Sequence, residues 1–362
     1  MRFKAKYDLC VIGTVGLPAG YGGFETLAEN LVRNLSQENK IVVACSRHKV
    51  KPHQSYHDGA VLRYFNWKAN GWQSVPYDIF SMLKLAQETR KMLVLGVSGC
   101  IALPFIRLAF PRTFIVTNID GLEWKREKWG WFQKRFLRLS EWFAVKFSHA
   151  VVADNEGIKR YIDHKYGIES AFIPYGGVDS ALLNHLARIG NVEKKDYHLA
   201  LCRIEPENNI EMILDAFSMS PSHRLVFVGN WGASSYSRAL HCKYSKNENI
   251  ELRMPIYEKN ELLKLRKGSI SYIHGHSAGG TNPSLVEAMG ASMACLCFDV
   301  CYNRYTTYNN AIYWTSAEDL MKYLDSLTES DYKELSLLMK GICSEYYTWE
   351  LVSEQYKNIL GL

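Results

Sequence analysis

The chain has 362 residues, 47% of them hydrophobic and 22% charged, with a formal net charge of +6. That length exceeds one ordinary small domain and favours two α/β domains, and the composition excludes a disordered chain. The modest positive balance does not by itself call for nucleic acid; it suits a phosphate-bearing partner or an anionic membrane surface.

Strand and helix patterns alternate from the start. The opening residues, Met1 to Lys6, run too quickly into strand pattern to be a signal peptide. The most apolar stretch, residues 92–110, is broken by Gly96, Gly99, Pro104 and Arg107, so it reads as strand, turn and helix rather than a membrane span. A cytoplasmic protein is expected. Residues 8–13 form an apolar strand ending in a glycine-rich loop, and Leu27, Leu31 and Leu35 stripe a helix over 24–35. Residues 41–45, 92–95, 114–117 and 150–153 are further buried strands, as expected of a parallel sheet covered on both faces. After a polar break near 188–197 the pattern restarts. Strands are expected at 198–202, 225–228, 250–253, 270–273 and 294–297, helices at 210–217 and through 331–362.

The expected division is residues 1–187, 188–340 and a closing helix at 341–362. Two such halves are expected to hinge around a cleft, with ligands at the carboxyl ends of the strands. The nine cysteines form an odd, scattered set and read as buried free thiols of a reducing compartment. Cys295, Cys297 and Cys301 lack the knuckle spacing and nearby histidine of a zinc site.

Three loops carry residues suited to chemistry. In the first, residues 13–25, glycines including Gly22 and Gly23 let backbone approach a ligand in front of a helix N-terminus. It departs from the dinucleotide spacing, no acid closes the second strand, and no Walker lysine follows. A plain strand–helix connection stays open there. The second loop holds Gly279, Gly280, Thr281, Asn282 and Ser284, where Asn282 can cap and Pro283 can start a helix. Its amides can cradle a diphosphate. Glu287, one turn in, is placed either to bind a ribose or sugar or merely to complement the helix dipole. The third loop offers Arg203, either a phosphate ligand or the partner of Glu205 or Glu207 in a surface ion pair.

At these residues the chain resembles the retaining glycosyltransferases of family 4, of GT-B fold, and among them the bacterial rhamnosyltransferase-like subgroup. The resemblance spans Gly13-Thr-Val-Gly16 with Tyr21-Gly-Gly-Phe-Glu-Thr26, Asn118-Ile-Asp-Gly-Leu-Glu-Trp-Lys-Arg126, Ile173-Pro-Tyr-Gly-Gly-Val-Asp179, Gly279 to Met289, and Trp349-Glu350 with Tyr356. It implies two Rossmann-like domains and a last helix returning to the first. It also implies transfer of a hexose from a nucleotide sugar, with retention and without metal or other cofactor. The subgroup suggests L-rhamnose from dTDP-L-rhamnose, with UDP-linked sugars open, moved to a lipid-pyrophosphate-linked saccharide during O-antigen or capsule synthesis. Two family residues are replaced, a glutamate by Gly279 and a lysine by Asn208, and Asp120 stands nearest a replaced histidine.

By that resemblance, Arg203 and the Gly279–Asn282 amides stabilise the departing diphosphate, with Asn208 assisting. Gly22 and Gly23 line the opposing wall, Glu287 orients the ribose, and Asp120 meets the transferred sugar or acceptor hydroxyl. Between Trp124 and Lys146 basic residues, Arg126 and Lys128 among them, alternate with aromatics. Phe132, Phe136, Leu139 and Phe143 share one helical face, expected in the core, and the remainder suits docking on an anionic inner leaflet. Nucleic acid is not an expected partner. A sugar-nucleotide epimerase of the same architecture and a catalytically idle nucleotide-sugar-binding subunit are the rival readings.

Overall fold

Apolar runs without polar alternation need cover on both faces, and helices supply it throughout this chain. The computed structural model describes residues 5–20, 22–48, 50, 53–125, 129–178 and 196–362. Met1–Pro174 with Trp349–Leu362 form one unit, and Tyr175–Thr348 form the other. The expected boundary at 187/188, together with Tyr21, Arg126, Lys128 and Asp179, lies outside the described residues.

The first unit is built on β1 (Tyr7–Ile12), β2 (Ile41–Ser46), β3 (Tyr56–His57), β4 (Ala60–Phe65), β5 (Thr89–Leu95), β6 (Phe114–Ile119), β7 (Ala150–Ala153) and β8 (Ala171–Phe172). They form one sheet in the order β3-β4-β2-β1-β5-β6-β7-β8. Only β3 and β4 pair antiparallel. Leu9 on the central strand β1 faces Ile41 on one side and Lys91 on the other. Leu9, Cys10, Val11 and Ile12 are wholly buried. The covering helices are α1 (Gly23–Leu35), α2 (Ser74–Leu85), α3 (Leu103–Ala109), α4 (Trp131–Phe147) and α5 (Glu156–Tyr166).

The second unit carries β9 (His198–Leu201), β10 (Leu225–Val228), β11 (Ile250–Arg253), β12 (Ser271–His274), β13 (Ala294–Phe298) and β14 (Ile312–Trp314), all parallel in the order β11-β10-β9-β12-β13-β14. Its helices are α6 (Ile210–Met219), α7 (Ser235–Tyr244), α8 (Lys259–Lys267), α9 (Pro283–Gly290), α10 (Cys301–Thr306), α11 (Ala317–Ser326) and α12 (Glu329–Tyr346). Phe217, Phe227, Leu296 and Trp314 centre its core. The chain then enters α13 (Trp349–Leu360), which belongs to the first unit. There Asn34 on α1 donates to Ser353 Oγ at 2.8 Å, and Asn118 on β6 donates to the buried Tyr356 hydroxyl. No described helix is long and apolar enough to cross a membrane.

Two expectations need correction. The helical stretch at 331–362 is two helices, α12 and α13. The helix breaks where Gly177 donates its amide to the Tyr347 carbonyl and Thr348 bridges Val178. On α4 the buried face is Leu137, Ser140, Glu141, Ala144 and Val145, while Phe132 is 78% and Leu139 46% exposed. Of the aromatic stripe, Phe136 and Phe143 are only partly buried. Glu141 can join the buried face because Trp124, Tyr161, Lys165 and Tyr166 all donate to it.

Candidate functional site

Each sheet reverses its strand order beside its first strand, between β1 and β5 in one unit and between β9 and β12 in the other. In doubly wound sheets such switch points open a crevice at the carboxyl ends of the strands. Glycine-rich loops leave β1 and β12 at those places.

In the first unit the loop after β1 is tied down by the helix that follows it. Glu25, buried in the first turn of α1, accepts from the Val15 amide at 2.6 Å and the Thr14 hydroxyl at 3.1 Å. Glu29, one turn further, accepts from the Ala19 amide at 2.9 Å and sits 3.1 Å from His57 Nε2. Gly22 stands before the helix with φ +150°, and a Cβ there would lie 1.8 Å from the Glu25 carboxylate. Gly23 is the first helical residue. At Gly13, φ is +91° and a Cβ would lie 2.0 Å from the Leu95 carbonyl, so only glycine lets the chain turn out of β1. Asp120 is half-buried just past β6, near Tyr356, whose hydroxyl burial pushes well above its ordinary pKa.

In the second unit, Asn209 donates to the Gly275 carbonyl at 2.9 Å. Ser277 donates its amide and hydroxyl to the Glu207 carbonyl at 3.0 and 2.8 Å. The loops after the neighbouring strands β9 and β12 are thereby joined. Asn208 is buried and donates to the Arg203 carbonyl at 2.7 Å, so its amide holds the loop in shape. Arg203 itself is 47% exposed, 3.6 Å from Glu205. At that exposure the pair contributes little to stability, and the guanidinium is available to an anion.

The loop from Gly275 ends at the N-terminus of α9. Asn282 caps the helix, accepting from the Ser284 amide at 3.1 Å and its hydroxyl at 2.8 Å, and Pro283 occupies the first position. The buried Tyr272 hydroxyl lies 2.8 Å from Ser284 Oγ and 3.0 Å from the Leu201 carbonyl, anchoring the cap to the sheet. Thr281 is buried. Gly279 has φ +116° with nothing within 4 Å of a Cβ position. The Gly279 and Gly280 amides make no hydrogen bond among the described residues. They stand just ahead of a helix N-terminus, an arrangement suited to an anion.

Glu287 falls one turn into α9, and Arg266 of α8, a residue the sequence reading missed, pairs with its Oε2. Arg266 is buried while the Glu287 side chain stays 31% exposed. Nothing in the local sequence marks this partner, which only the fold brings to Glu287. Beneath the loop, burial lowers the His274 pKa to about 3 and keeps the ring neutral, stacked on His276 at 4.4 Å.

Nine cysteines are free, with Cys295 and Cys297 buried in β13 and Cys301 exposed. Among the described residues no group of three or more His, Cys, Asp or Glu is placed to hold a metal.

Residues 184–341 match the family Glycosyl transferases group 1, and residues 6–178 match a domain of unknown function, DUF1972. The fold is shared with solved GT-B structures. Sucrose-phosphate synthase from Thermosynechococcus elongatus superposes with a TM-score of 0.77 at 13% identity, over 97% of this chain and 98% of that one. The Anabaena protein HepE, solved in complex with UDP and glucose, gives 0.74 at 12% identity over 98% and 99%. A glycosyltransferase from Rickettsia africae gives 0.69 at 12% identity over 99% and 98%. No curated protein matches the chain in sequence. The group 1 match supports glycosyl transfer as the general activity, and the structures show the GT-B fold.

Proposed function

We propose that this chain is a retaining, metal-independent hexosyltransferase of family 4 that takes its sugar from a nucleotide-sugar donor. The observation that carries the proposal is the pair of amides at Gly279 and Gly280, without a hydrogen bond among the described residues, on a capped helix start joined to the Arg203 loop. As the anomeric C–O bond breaks, negative charge collects on the leaving diphosphate. Preorganised amides and an exposed guanidinium stabilise that charge without reorganising. Glu287, steadied by Arg266, keeps one oxygen for a ribose hydroxyl. Asn208 keeps the backbone of the Arg203 loop in register. In the first unit, Asp120 at the end of β6 serves the transferred sugar or the acceptor hydroxyl. The UDP seen in the complex of HepE is the chemical precedent for the donor. The proposed donor is dTDP-L-rhamnose, and the acceptor a lipid-pyrophosphate-linked saccharide of O-antigen or capsule synthesis, met at the cytoplasmic face of an anionic membrane.

Thermal stabilisation across a panel of dTDP- and UDP-sugars, with NAD as control, tests the donor, because selective binding raises apparent stability by mass action. Stabilisation by one nucleotide sugar, followed by its transfer with an unchanged anomeric configuration, supports the reading. Conversion of the donor without an acceptor would instead indicate an epimerase. Binding with neither transfer nor donor hydrolysis would indicate an idle subunit.

A further inference from the structure

Helix α4 buries Leu137, Ser140, Glu141, Ala144 and Val145 and leaves Trp131, Phe132, Arg135, Arg138 and Trp142 exposed. With the Trp124 turn before it and α5 beside it, it walls two adjoining hollows of about 380 and 640 Å³. The smaller is lined by Trp124, Lys125, Trp131, Lys134, Arg135 and Arg138. The larger shares Trp124, Arg135 and Arg138 and continues to Trp142 and Lys165. Among the described residues that line them there is no carboxylate.

The floor is built rather than accidental. Glu141 lies beneath it, 1% exposed, and accepts from the Trp124 indole at 2.9 Å and from Lys165 at 3.0 Å. That carboxylate fixes the tryptophan wall. Arg138 then stacks on Trp124 at 4.0 Å, and Arg135 lies over Trp131 at 5.1 Å. A stacked guanidinium keeps its N–H edges for an anion. Neither arginine has a carboxylate partner among the described residues. Around the mouth stand apolar side chains that the fold leaves in solvent: Trp131 at 63%, Phe132 at 78% and Trp142 at 40% exposure.

Two arginines with no carboxylate partner among the described residues, inside an aromatic rim, fit one kind of occupant, a phosphate carried at the boundary between water and hydrocarbon. We propose that the α4–α5 pocket binds the headgroup phosphate of an anionic membrane lipid, with Arg135 and Arg138 donating to its oxygens. Trp131, Phe132 and Trp142 then sit at headgroup depth. A soluble phosphate would match the charge but give the exposed rim nothing to bury against. The inference deepens the membrane contact in the proposed function and rests on that part of it.

The test is co-sedimentation of the full chain with vesicles of mixed phosphatidylglycerol and phosphatidylcholine, and with phosphatidylcholine alone, at low and physiological salt. Binding is expected only to the anionic vesicles, weakening with salt. R135Q/R138Q should lower it about tenfold or more, because each cation near such a surface contributes measurably. F132S, at a side chain exposed enough to leave folding alone, should weaken vesicle binding and leave any affinity for inorganic pyrophosphate unchanged. Equal binding to both vesicles, or no effect of the double variant, would overturn the proposal. So would pyrophosphate binding at the two arginines with no vesicle binding. The assay contains neither donor nor acceptor, so its failure would leave sugar transfer standing, and failed transfer would leave a vesicle result standing.

Discussion

The two units place a glycine-rich loop in the same part of the same kind of sheet, yet a helix acid is held differently beside each loop. In the first unit, Glu25 and Glu29 reach back from α1 and take the Val15 and Ala19 amides. The protein supplies its own anion there, and the glycine at position 22 makes room for it. In the second unit Glu287, the fifth residue of its helix, is held by Arg266, and the Gly279 and Gly280 amides make no hydrogen bond among the described residues. The nearest helix acids thus tie the loop itself in one unit, while in the other the acid pairs with an arginine.

The largest effect that would break this comparison is on Arg203. Arg203→Ala should lower turnover by about 10²–10³-fold, as loss of a preorganised charge-stabilising donor does. The melting temperature should hardly move, since the side chain is half exposed. Unchanged transfer with purified donor and acceptor would remove Arg203 from the mechanism and with it the reading of the second loop.

Glu25→Ala should cost about 2–3 kcal/mol of stability, because a buried amide and hydroxyl lose their shared acceptor. Donor affinity should stay as it was. Denaturant titration alongside donor titration checks both, and weaker donor binding in this variant would show that Glu25 shapes the donor site as well as the loop. Arg266→Gln is the mirror experiment. It should raise the donor KM several-fold and cost about 1–3 kcal/mol, part of it from Glu287 losing its partner. A fall in kcat with no change in KM would contradict a ribose-orienting role for Glu287.

Acid should separate the units more gently. His198 and His274, both buried in the second unit, have pKa values lowered to about 3 by burial. The unfolded chain binds these protons near pH 6.5 and the folded chain does not, so stability falls as pH drops from about 6.5 towards 3. The slope is about 1.4 kcal/mol per pH unit for each ring. Asp78 in the first unit runs the other way. Burial raises its pKa well above the ordinary value, so its contribution is present at low pH and is lost as pH rises above about 3.9. Hydrogen exchange at pH 7 and pH 5 should show protection lost first in β9 and β12. Asp78→Asn should flatten the alkaline side of the first unit's profile, and an unchanged profile would show that Asp78 does not couple to folding.

How much of this was legible beforehand differs by interaction range. The buried strands were legible because continuous runs such as Leu225–Val228 declare themselves locally. The Asn282 cap with Pro283 was legible because capping chemistry is contained in a few consecutive residues. The β3–β4 hairpin was missed because a two-residue edge strand carries no pattern. Arg266 was missed because 21 residues separate it from Glu287 and only the folded chain brings the two side chains together. Glu25 sat inside the motif, but nothing in its spacing says that its carboxylate folds back onto Val15. On α4 the aromatic period pointed to the wrong face, since a buried glutamate with distant tyrosine and lysine partners has no sequence signature.

The passage of the chain into α13 has a consequence for how the protein is made. The second unit is spliced between two parts of the first, so the ribosome releases that whole unit before delivering the helix that packs on α1 and β6. Until Ser353 reaches Asn34 and Tyr356 reaches Asn118, part of the first sheet's apolar flank has no cover. The unit synthesised first is therefore the one completed last. In a growing chain its exposed flank is the natural place for a chaperone to bind or for aggregation to begin.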